Sequence, residues 1–192
     1  GFRQAFDPHA SDIAAVLVEP MQGAGGCIVG DQAFLQALRD ATSAAGALLV
    51  FDEVMTSRLS PSGRQALLGI TPDLTTVGKY IGGGMSFGAF GGRADIMAQF
   101  DPRRPGALAH AGTFNNNVLT MAAGIAGLGS VYTPETATAL NARGDALRER
   151  LNALCRDAGV RLQFSGLGSL MNLHPTLQPV RSIDDVAATD QR

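Results

Sequence analysis

Short apolar runs alternate with helical periodicity in the first part of the chain. The runs at 13–18, 47–51 and 74–77 are rich in aliphatic and β-branched residues, which is typical of strands buried in a parallel sheet. Between the first two runs, Asp31 predicts the N-cap of a helix and Gly46 predicts its end. This β–α–β order predicts an α/β fold with a mostly parallel sheet and helices on both faces.

The second half of the chain has a different pattern. Thr133, Pro134 and Glu135 are typical of a helix start, and we expect a long helix that reaches about Ala158. One face of this helix carries Leu140, Leu147, Leu151 and Leu154. Two short strands are predicted after it, at 160–164 and 169–173. We therefore expect a first domain at 1–133, a connecting helix at 134–160 and the beginning of a small α+β domain at 161–192.

Composition narrows the classes of function. The sequence is 45% apolar and 17% charged, its formal net charge is −2, and no apolar run is long enough to cross a bilayer. Neither a nucleic acid nor a membrane is therefore an expected partner. Cys27 and Cys155 are far apart and form no CxxC pair, so we expect no metal site and a reduced, cytoplasmic protein.

Glycine is unusually frequent and it is clustered. The sequence has 24 glycines, and six of the eleven residues at 82–92 are glycine, shortly after Lys79. Such a segment lets the backbone turn tightly or approach a ligand closely. The spacing matches neither a P-loop nor GxGxxG, which disfavours a nucleotide site. A surface lysine beside simple bends is the alternative interpretation.

Three chemically useful groups follow predicted parallel strands: Glu19, the pair Asp52-Glu53, and Lys79. Ligands of open α/β sheets bind outside these strand ends. A lysine amine condenses with an aldehyde, and a carboxylate can keep a ring nitrogen protonated, which together suit pyridoxal-phosphate catalysis. Each residue also has an ordinary interpretation: Asp52 could cap a turn, and Glu19 could simply end its strand.

Four segments are informative when they are taken together: 18–23, 51–56, 78–84 and 112–114. They resemble the class III pyridoxal-phosphate aminotransferases, and in particular the branch with glutamate-1-semialdehyde 2,1-aminomutase and the β-amino-acid aminotransferases. Their order and separations are similar to those of the family over nearly the whole chain. The resemblance implies the large domain of a fold-type I enzyme, with pyridoxal 5′-phosphate as cofactor and a small-molecule amino donor and acceptor as substrates.

The resemblance also implies roles for individual residues. Lys79 would be the Schiff-base lysine and would move the proton during amino transfer. Asp52 would pair with the pyridinium nitrogen, and Val54 would pack against the ring. Gly112 and Thr113 would bind the cofactor, with Thr113 reaching its phosphate from the neighbouring subunit of a homodimer. A turn or N-cap role is the commoner one for such a threonine.

The substrate side is less clearly defined by the sequence. Glu19 and Gln22 would line the pocket or support it. Many ω-aminotransferases of the family carry Glu where Ala24 stands, which argues against the ornithine and GABA types. Arg58 could bind a substrate carboxylate, since guanidinium groups suit carboxylates, or it could be an exposed loop residue.

The resemblance further implies that the chain is an internal fragment, because the family's phosphate cup and stacking aromatic have no counterpart in it. Two enzyme types remain open: an aminotransferase with an external acceptor and an intramolecular aminomutase. A non-catalytic fragment that keeps the fold is the alternative from another class.

Overall fold

The computed structural model describes residues 1–187. Its strands are β1 (Ala15–Val18), β2 (Met21–Gln22), β3 (Ile28–Val29), β4 (Leu48–Asp52), β5 (Leu74–Gly78), β6 (Gly88–Gly92), β7 (Gln163–Leu167) and β8 (Leu170–His174). Its α-helices are α1 (Phe2–Phe6), α2 (Gln32–Ala45), α3 (Gly63–Leu68), α4 (Ala94–Met97), α5 (Val118–Ala126), α6 (Pro134–Asp157) and α7 (Ile183–Ala187). No helix within this range combines the length and hydropathy that a bilayer span requires.

The main sheet has the strand order β1-β4-β5-β6. The first three strands are parallel neighbours, with Val18 opposite Phe51 and Asp52 opposite Thr76. Strand β6 returns antiparallel to β5 at the sheet edge. The predicted α/β fold with a mostly parallel sheet is confirmed, and β2-β3 and β7-β8 form separate antiparallel pairs.

The caps of α2 are those expected from the sequence. The Asp31 carboxylate accepts a hydrogen bond of 3.0 Å from the Phe34 N–H. Gly46 ends the helix in the left-handed conformation with φ 72°, which glycine adopts without steric cost.

The apolar face of α2 forms the core together with β4 and α3. The buried cluster consists of Leu35, Leu38, Leu49, Phe51, Leu68 and Ile70. Each such side chain contributes roughly 1.5–3 kcal/mol when it is removed from water. This packing holds one face of the sheet rigid behind the strand ends.

Helix α6 packs only in part through its leucines, of which Leu140 and Leu151 are half-buried. Leu147 and Leu154 are 50% and 55% exposed, whereas Ala137 and Asn141 are buried. Gly144 is the reason: a β-carbon on it would lie 2.2 Å from the Gly168 carbonyl oxygen, so the helix backbone touches the β7-β8 turn directly. Close backbone approach selects small and polar residues for the packed face, which a search for an apolar stripe does not detect.

The two strands after α6 exist, but β7 is shifted from its predicted position. The sequence predicted them at 160–164 and 169–173, and the structure has them at Gln163–Leu167 and Leu170–His174. Val160 is 40% exposed and lies outside the ladder. The last part of the predicted small domain, 188–192, lies outside the described residues.

Asp73 joins three elements just before β5. Its carboxylate accepts hydrogen bonds from the Leu49 N–H at 2.8 Å, Arg39 at 2.9 Å and Arg93 at 2.9 Å. Burial alone would raise the pKa of Asp73, but the bonds from Leu49, Arg93 and Arg39 outweigh it and lower that pKa. The carboxylate therefore ties α2 and the end of β6 to the beginning of β5.

We predict that Asp73→Asn lowers the free energy of unfolding by about 2–4 kcal/mol at neutral pH, because Arg39 loses its charged partner and Arg93 keeps only Asp95. A lowered carboxyl pKa stabilises the fold above the unfolded pKa of about 4, and the effect disappears as pH falls through the folded pKa. The deficit of the variant should therefore shrink below about pH 4. Urea unfolding of the complete protein across pH 3–7 measures it.

The matched control for this prediction is Asp95→Asn. Asp95 pairs with Arg93 through the same chemistry, at 2.6 Å, but its side chain is 64% exposed. Exposed ion pairs contribute little, so its urea midpoint should hardly move. Equal shifts in the two variants would contradict the role given to Asp73.

Candidate active site

The three parallel strands β1, β4 and β5 have their C-terminal ends side by side, and the predicted groups lie at these ends. Glu19 follows β1, Asp52 ends β4, and Lys79 follows β5. Because β1, β4 and β5 are adjacent, these residues lie on neighbouring strand ends, as the sequence predicted.

Asp52 is half-buried and held through only one of its two carboxylate oxygens. Its Oδ1 accepts hydrogen bonds from the Val54 N–H at 3.0 Å and from the Thr76 hydroxyl at 3.1 Å. Within residues 1–187, Oδ2 accepts none. A carboxylate fixed in this way can offer its second oxygen to a ligand without having to reorient.

Thr76 is a partner of Asp52 that sequence reasoning missed. The register of β4 and β5 sets it opposite Asp52, and its side chain points to the same side of the sheet. The signal was available only in part: a polar residue within a predicted buried strand needs a partner, but the partner lies 24 positions away.

Lys79 adopts a strained conformation at the strand end. Its φ of 53° is left-handed, which is rare for residues with a β-carbon and costs roughly 1–3 kcal/mol. It is exposed and begins a 3-10 turn, Lys79–Gly82. Strained residues of this kind cluster at active sites.

Lys79 has a second distinction that sequence reasoning overlooked. It is the only lysine among the 192 residues; every other cation of the sequence that titrates above neutral pH is an arginine or the N-terminus. The strand end therefore presents the one side-chain primary amine of this sequence.

The glycine segment allows helix α5 to approach the lysine turn. A β-carbon on Gly83 would lie 2.1 Å from the Ala123 carbonyl oxygen, and one on Gly124 would lie 2.5 Å from that of Ile81. Gly83 also has a left-handed φ of 60°. These glycines thus serve close packing as well as bending, and they fix the turn that carries Lys79.

Val54 lies beside the same turn. A β-carbon on Gly78, the residue before Lys79, would be 3.5 Å from Val54 Cγ1. Val54 thus contributes its N–H to Asp52 and its side chain to the neighbourhood of the lysine turn.

The carboxylate of Glu19 supports a turn at the same edge. Its Oε2 accepts a hydrogen bond of 2.9 Å from the Gly23 N–H. Gln22 lies in β2 with its side chain exposed. Gly23 packs against the segment after Asp52, since a β-carbon on Gly23 would lie only 1.8 Å from Met55 Sδ.

Glu53, next to Asp52, has a structural task that sequence reasoning did not assign. It is fully buried and accepts hydrogen bonds from the Thr56 hydroxyl and from the N–H groups of Arg64 and Gln65 at the start of α3. Arg64, itself 7% exposed, donates to the carbonyl oxygens of Pro20 and Gly30. Burial lowers the pKa of Arg64, and the Glu53 carboxylate acts in the opposite direction.

Arg58 is half-buried, so the interpretation as an exposed loop residue is wrong. Its guanidinium carbon lies 5.9 Å from the ring centre of Tyr80 and 5.5 Å from that of Tyr132. Its carbonyl oxygen accepts bonds from the Tyr132 hydroxyl and the Asn141 amide. Burial raises the pKa of Tyr80, the residue after Lys79.

Gly112 and Thr113 lie in an exposed loop before α5. Within residues 1–187, no hydrogen bond joins Thr113 to Asp52 or Lys79. The loop ends at Asn117, whose side chain caps α5 by accepting from two backbone N–H groups at 3.0 and 3.2 Å. No group of three or more His, Cys, Asp or Glu residues suited to a metal occurs in this part of the chain.

The chain matches relatives of known sequence over nearly its whole length. The beta-phenylalanine transaminase of Variovorax paradoxus is 66% identical over 190 residues, which cover 99% of this chain and 44% of that protein. A glutamate-1-semialdehyde 2,1-aminomutase of Limosilactobacillus reuteri is 42% identical over 193 residues, which cover 100% of this chain and 44% of that protein. The chain thus spans less than half the length of these curated relatives.

Solved structures agree with this relationship. A beta-phenylalanine aminotransferase from Variovorax paradoxus superposes with a TM-score of 0.94 at 66% identity, covering 97% of this chain and 43% of that one. An omega-transaminase from Sphaerobacter thermophilus gives a TM-score of 0.90 at 40% identity, with 97% and 42% covered. The sequence model of the family described as aminotransferase class-III matches residues 2–181. The chain therefore belongs to the class III aminotransferase family.

Proposed function

We propose that this chain carries the cofactor-tethering part of a pyridoxal-phosphate aminotransferase that acts on an amino acid, with β-amino acids as donors. The observation that carries the proposal is a pair of residues at the C-terminal ends of β4 and β5. Asp52 has one oxygen held by hydrogen bonds and one open oxygen, and Lys79 lies at the adjacent strand end. The relative that is 66% identical is named for a β-amino acid, which supports the donor class.

The residues present fit pyridoxal 5′-phosphate. When bound, this cofactor supplies an aldehyde that condenses reversibly with amines and a ring that withdraws electrons. The open Oδ2 of Asp52 suits a protonated ring nitrogen, and a solved relative at 35% identity is described as a "Transaminase with PLP bound". Val54 beside the lysine turn offers an apolar surface for one face of a ring.

Lys79 takes two roles in the proposal. Its amine would hold the cofactor covalently, and the same amine, once free, would accept and return the proton of the amino-bearing substrate carbon. The residue stands at the strand end in a left-handed turn, and its exposure leaves the amine free to act.

Gly112 and Thr113 are proposed to bind the cofactor phosphate of a second subunit in a homodimer. Their loop is exposed and is followed by large apolar side chains: Phe114, Val118 and Leu119 are 83%, 78% and 68% exposed. Large apolar side chains exposed close together in the sequence are typical of an interface. A small molecule as the substrate and a cytoplasmic location complete the proposal.

The substrate side is assigned to Glu19, Gln22 and Arg58. Glu19 holds the turn that contains Ala24, and Gln22 extends from β2 beside it. Arg58 lies next to Tyr80, one residue from Lys79, and its guanidinium suits a substrate carboxylate. We also propose that 1–133 belong to a large domain, 134–160 to a connecting helix and 161–192 to a small domain.

An aminomutase is the second candidate, because relatives at about 42% identity bear that name. The two functions differ in their need for an acceptor. We expect the complete protein to consume β-phenylalanine over many turnovers only in the presence of a 2-oxo acid, and to stop after one half-turnover without it. Acceptor-independent isomerisation of glutamate-1-semialdehyde would favour the aminomutase instead.

We predict that Lys79→Ala lowers kcat by at least about 10²-fold, since both the tether and the proton-transfer group are removed. Borohydride treatment of the wild-type complete protein with pyridoxal phosphate should fix the cofactor on the peptide containing Lys79, and mass spectrometry of the digest detects it. Lys79→Arg is the matched control: it keeps the charge but cannot condense, so it should be equally inactive. Cofactor fixed elsewhere would refute the assignment, as would an active arginine variant.

We predict that Thr76→Val lowers kcat about three- to tenfold, because Asp52 loses one of the two bonds that fix its Oδ1. Thr75→Val is the matched control. The Thr75 hydroxyl accepts a bond from Gln65 rather than donating to Asp52, and its loss should change kcat less than about twofold. Steady-state kinetics compares them, and similar losses in both would remove the positioning role of Thr76.

A further inference from the structure

A buried histidine and a half-buried serine form a pair away from the strand-end residues described above. Ser165 in β7 and His174 in β8 have Oγ and Nε2 2.8 Å apart, and His174 is 1% exposed. Both also contact the carbonyl oxygen of Gly26, at 3.0 Å from Ser165 Oγ and 2.9 Å from His174 Nε2. We call these two side chains on the Gly26 carbonyl the carbonyl clamp.

The carbonyl clamp is not a nucleophile with its base. A carbonyl oxygen has no proton to give, so His174 Nε2 must carry the hydrogen in its bond to Gly26. A protonated Nε2 cannot take a proton from Ser165, whose hydroxyl instead donates to the carbonyl oxygens of Gly26 and Cys27. The pair therefore acts by holding backbone.

The backbone that it holds is a tight, strained turn at 23–27, which we call the rim turn. Gly26 has φ 112° and Cys27 has φ 53°, the latter rare for a residue with a β-carbon. The N–H groups of both donate to the Gly23 carbonyl oxygen, at 3.1 and 3.2 Å. A β-carbon on Gly26 would lie 2.8 Å from His174 Cε1, so the histidine ring fits against bare backbone.

The rim turn leads directly to the candidate active site. The Gly23 N–H donates to Glu19 at the end of β1, and Gly23 backs onto Met55 in the segment after Asp52. A continuous path of hydrogen bonds thus runs from the carbonyl clamp through Gly26 and Gly23 to Glu19. The rim turn thus connects the β7-β8 hairpin to the C-terminal end of β1.

We propose that Ser165 and His174 are positioning residues that hold the rim turn in place and thereby set the affinity of the enzyme for its amino donor. The affinity part rests on the proposed function, whereas the holding of the turn does not. Substrate binding would depend on where the turn lies, because the turn donates a hydrogen bond to Glu19, which the proposed function assigns to the substrate side. Proton transfer depends on Lys79, which the path does not include.

Cys27 reports directly on the rim turn. Its thiol is buried, 6% of the residue is exposed, and burial raises its thiol pKa, so alkylation should be slow while the turn is held. Cys155, half-buried in α6, provides an internal reference in the same sample. Mass spectrometry of digested complete protein after timed exposure to iodoacetamide gives both rates.

The test variant is Ser165→Ala, and the matched control is Asn172→Ala, at the position paired with Ser165 in the hairpin. Asn172 is exposed, and within residues 1–187 its side chain bonds only to the Leu173 carbonyl oxygen and, at 3.5 Å, to the His174 ring. We expect Ser165→Ala to raise the ratio of Cys27 to Cys155 alkylation about three- to tenfold, and the KM for the donor by a similar factor. The kcat should change less than about twofold, and the control should change neither alkylation nor KM.

A comparison of two His174 variants distinguishes the loss of one hydrogen bond from a general loss of folding. His174→Gln keeps a side-chain N–H and should give a smaller increase in Cys27 alkylation than His174→Leu. An unchanged Cys27 ratio in Ser165→Ala would overturn the proposal, and so would a raised ratio with an unchanged KM or an equal loss of kcat. Failure of the proposed function is seen separately, as the absence of borohydride-fixed cofactor on Lys79 in the wild type.

Discussion

The parallel pairing of β4 with β5 is the constraint on which the site depends. It sets Asp52 opposite Thr76 and makes the two strands end together, so that the carboxylate and Lys79 face the same edge. A slip by one residue would turn Asp52 to the other face of the sheet, because side chains alternate along a strand. The core of α2 against Leu49 and Phe51 prevents such a slip, since those residues must stay on the buried side.

The two adjacent carboxylates at the end of β4 have different contacts. Glu53 is fully buried and uses its hydrogen-bonding capacity at the start of α3, while Asp52 keeps one oxygen open. Arg64 then links α3 to the backbone at Pro20 and Gly30, beside the end of β1. Buried polar groups need hydrogen-bond partners, and the partners of Glu53 and Arg64 lie in the loops around Asp52. Their hydrogen bonds therefore hold these loops in place.

The sequence predicted what depends on local patterns: the parallel strands, both ends of α2, the start of α6 and the strand-end position of Lys79. It did not predict what depends on distant contacts. The bond from Thr76 to Asp52 needs the register of two strands, and the packed face of α6 needs the backbone of Gly168 to approach Gly144. Exposed leucines on that helix misled the apolar-stripe criterion because small residues made the closer contact.

Lys79 depends both on its local backbone conformation and on contacts between distant residues. A glycine would adopt the left-handed backbone of position 79 without cost, as glycines at nearby positions do. The side chain of Lys79 must therefore be the reason that a residue with a β-carbon occupies this position. Gly83 and Gly124 let α5 close against the turn, and that packing can offset the strain locally. The cost is of the order of 1–3 kcal/mol, small beside the core but large for one exposed side chain. A strained, exposed and solitary lysine beside a half-satisfied carboxylate is the combination expected of a residue retained for its amine.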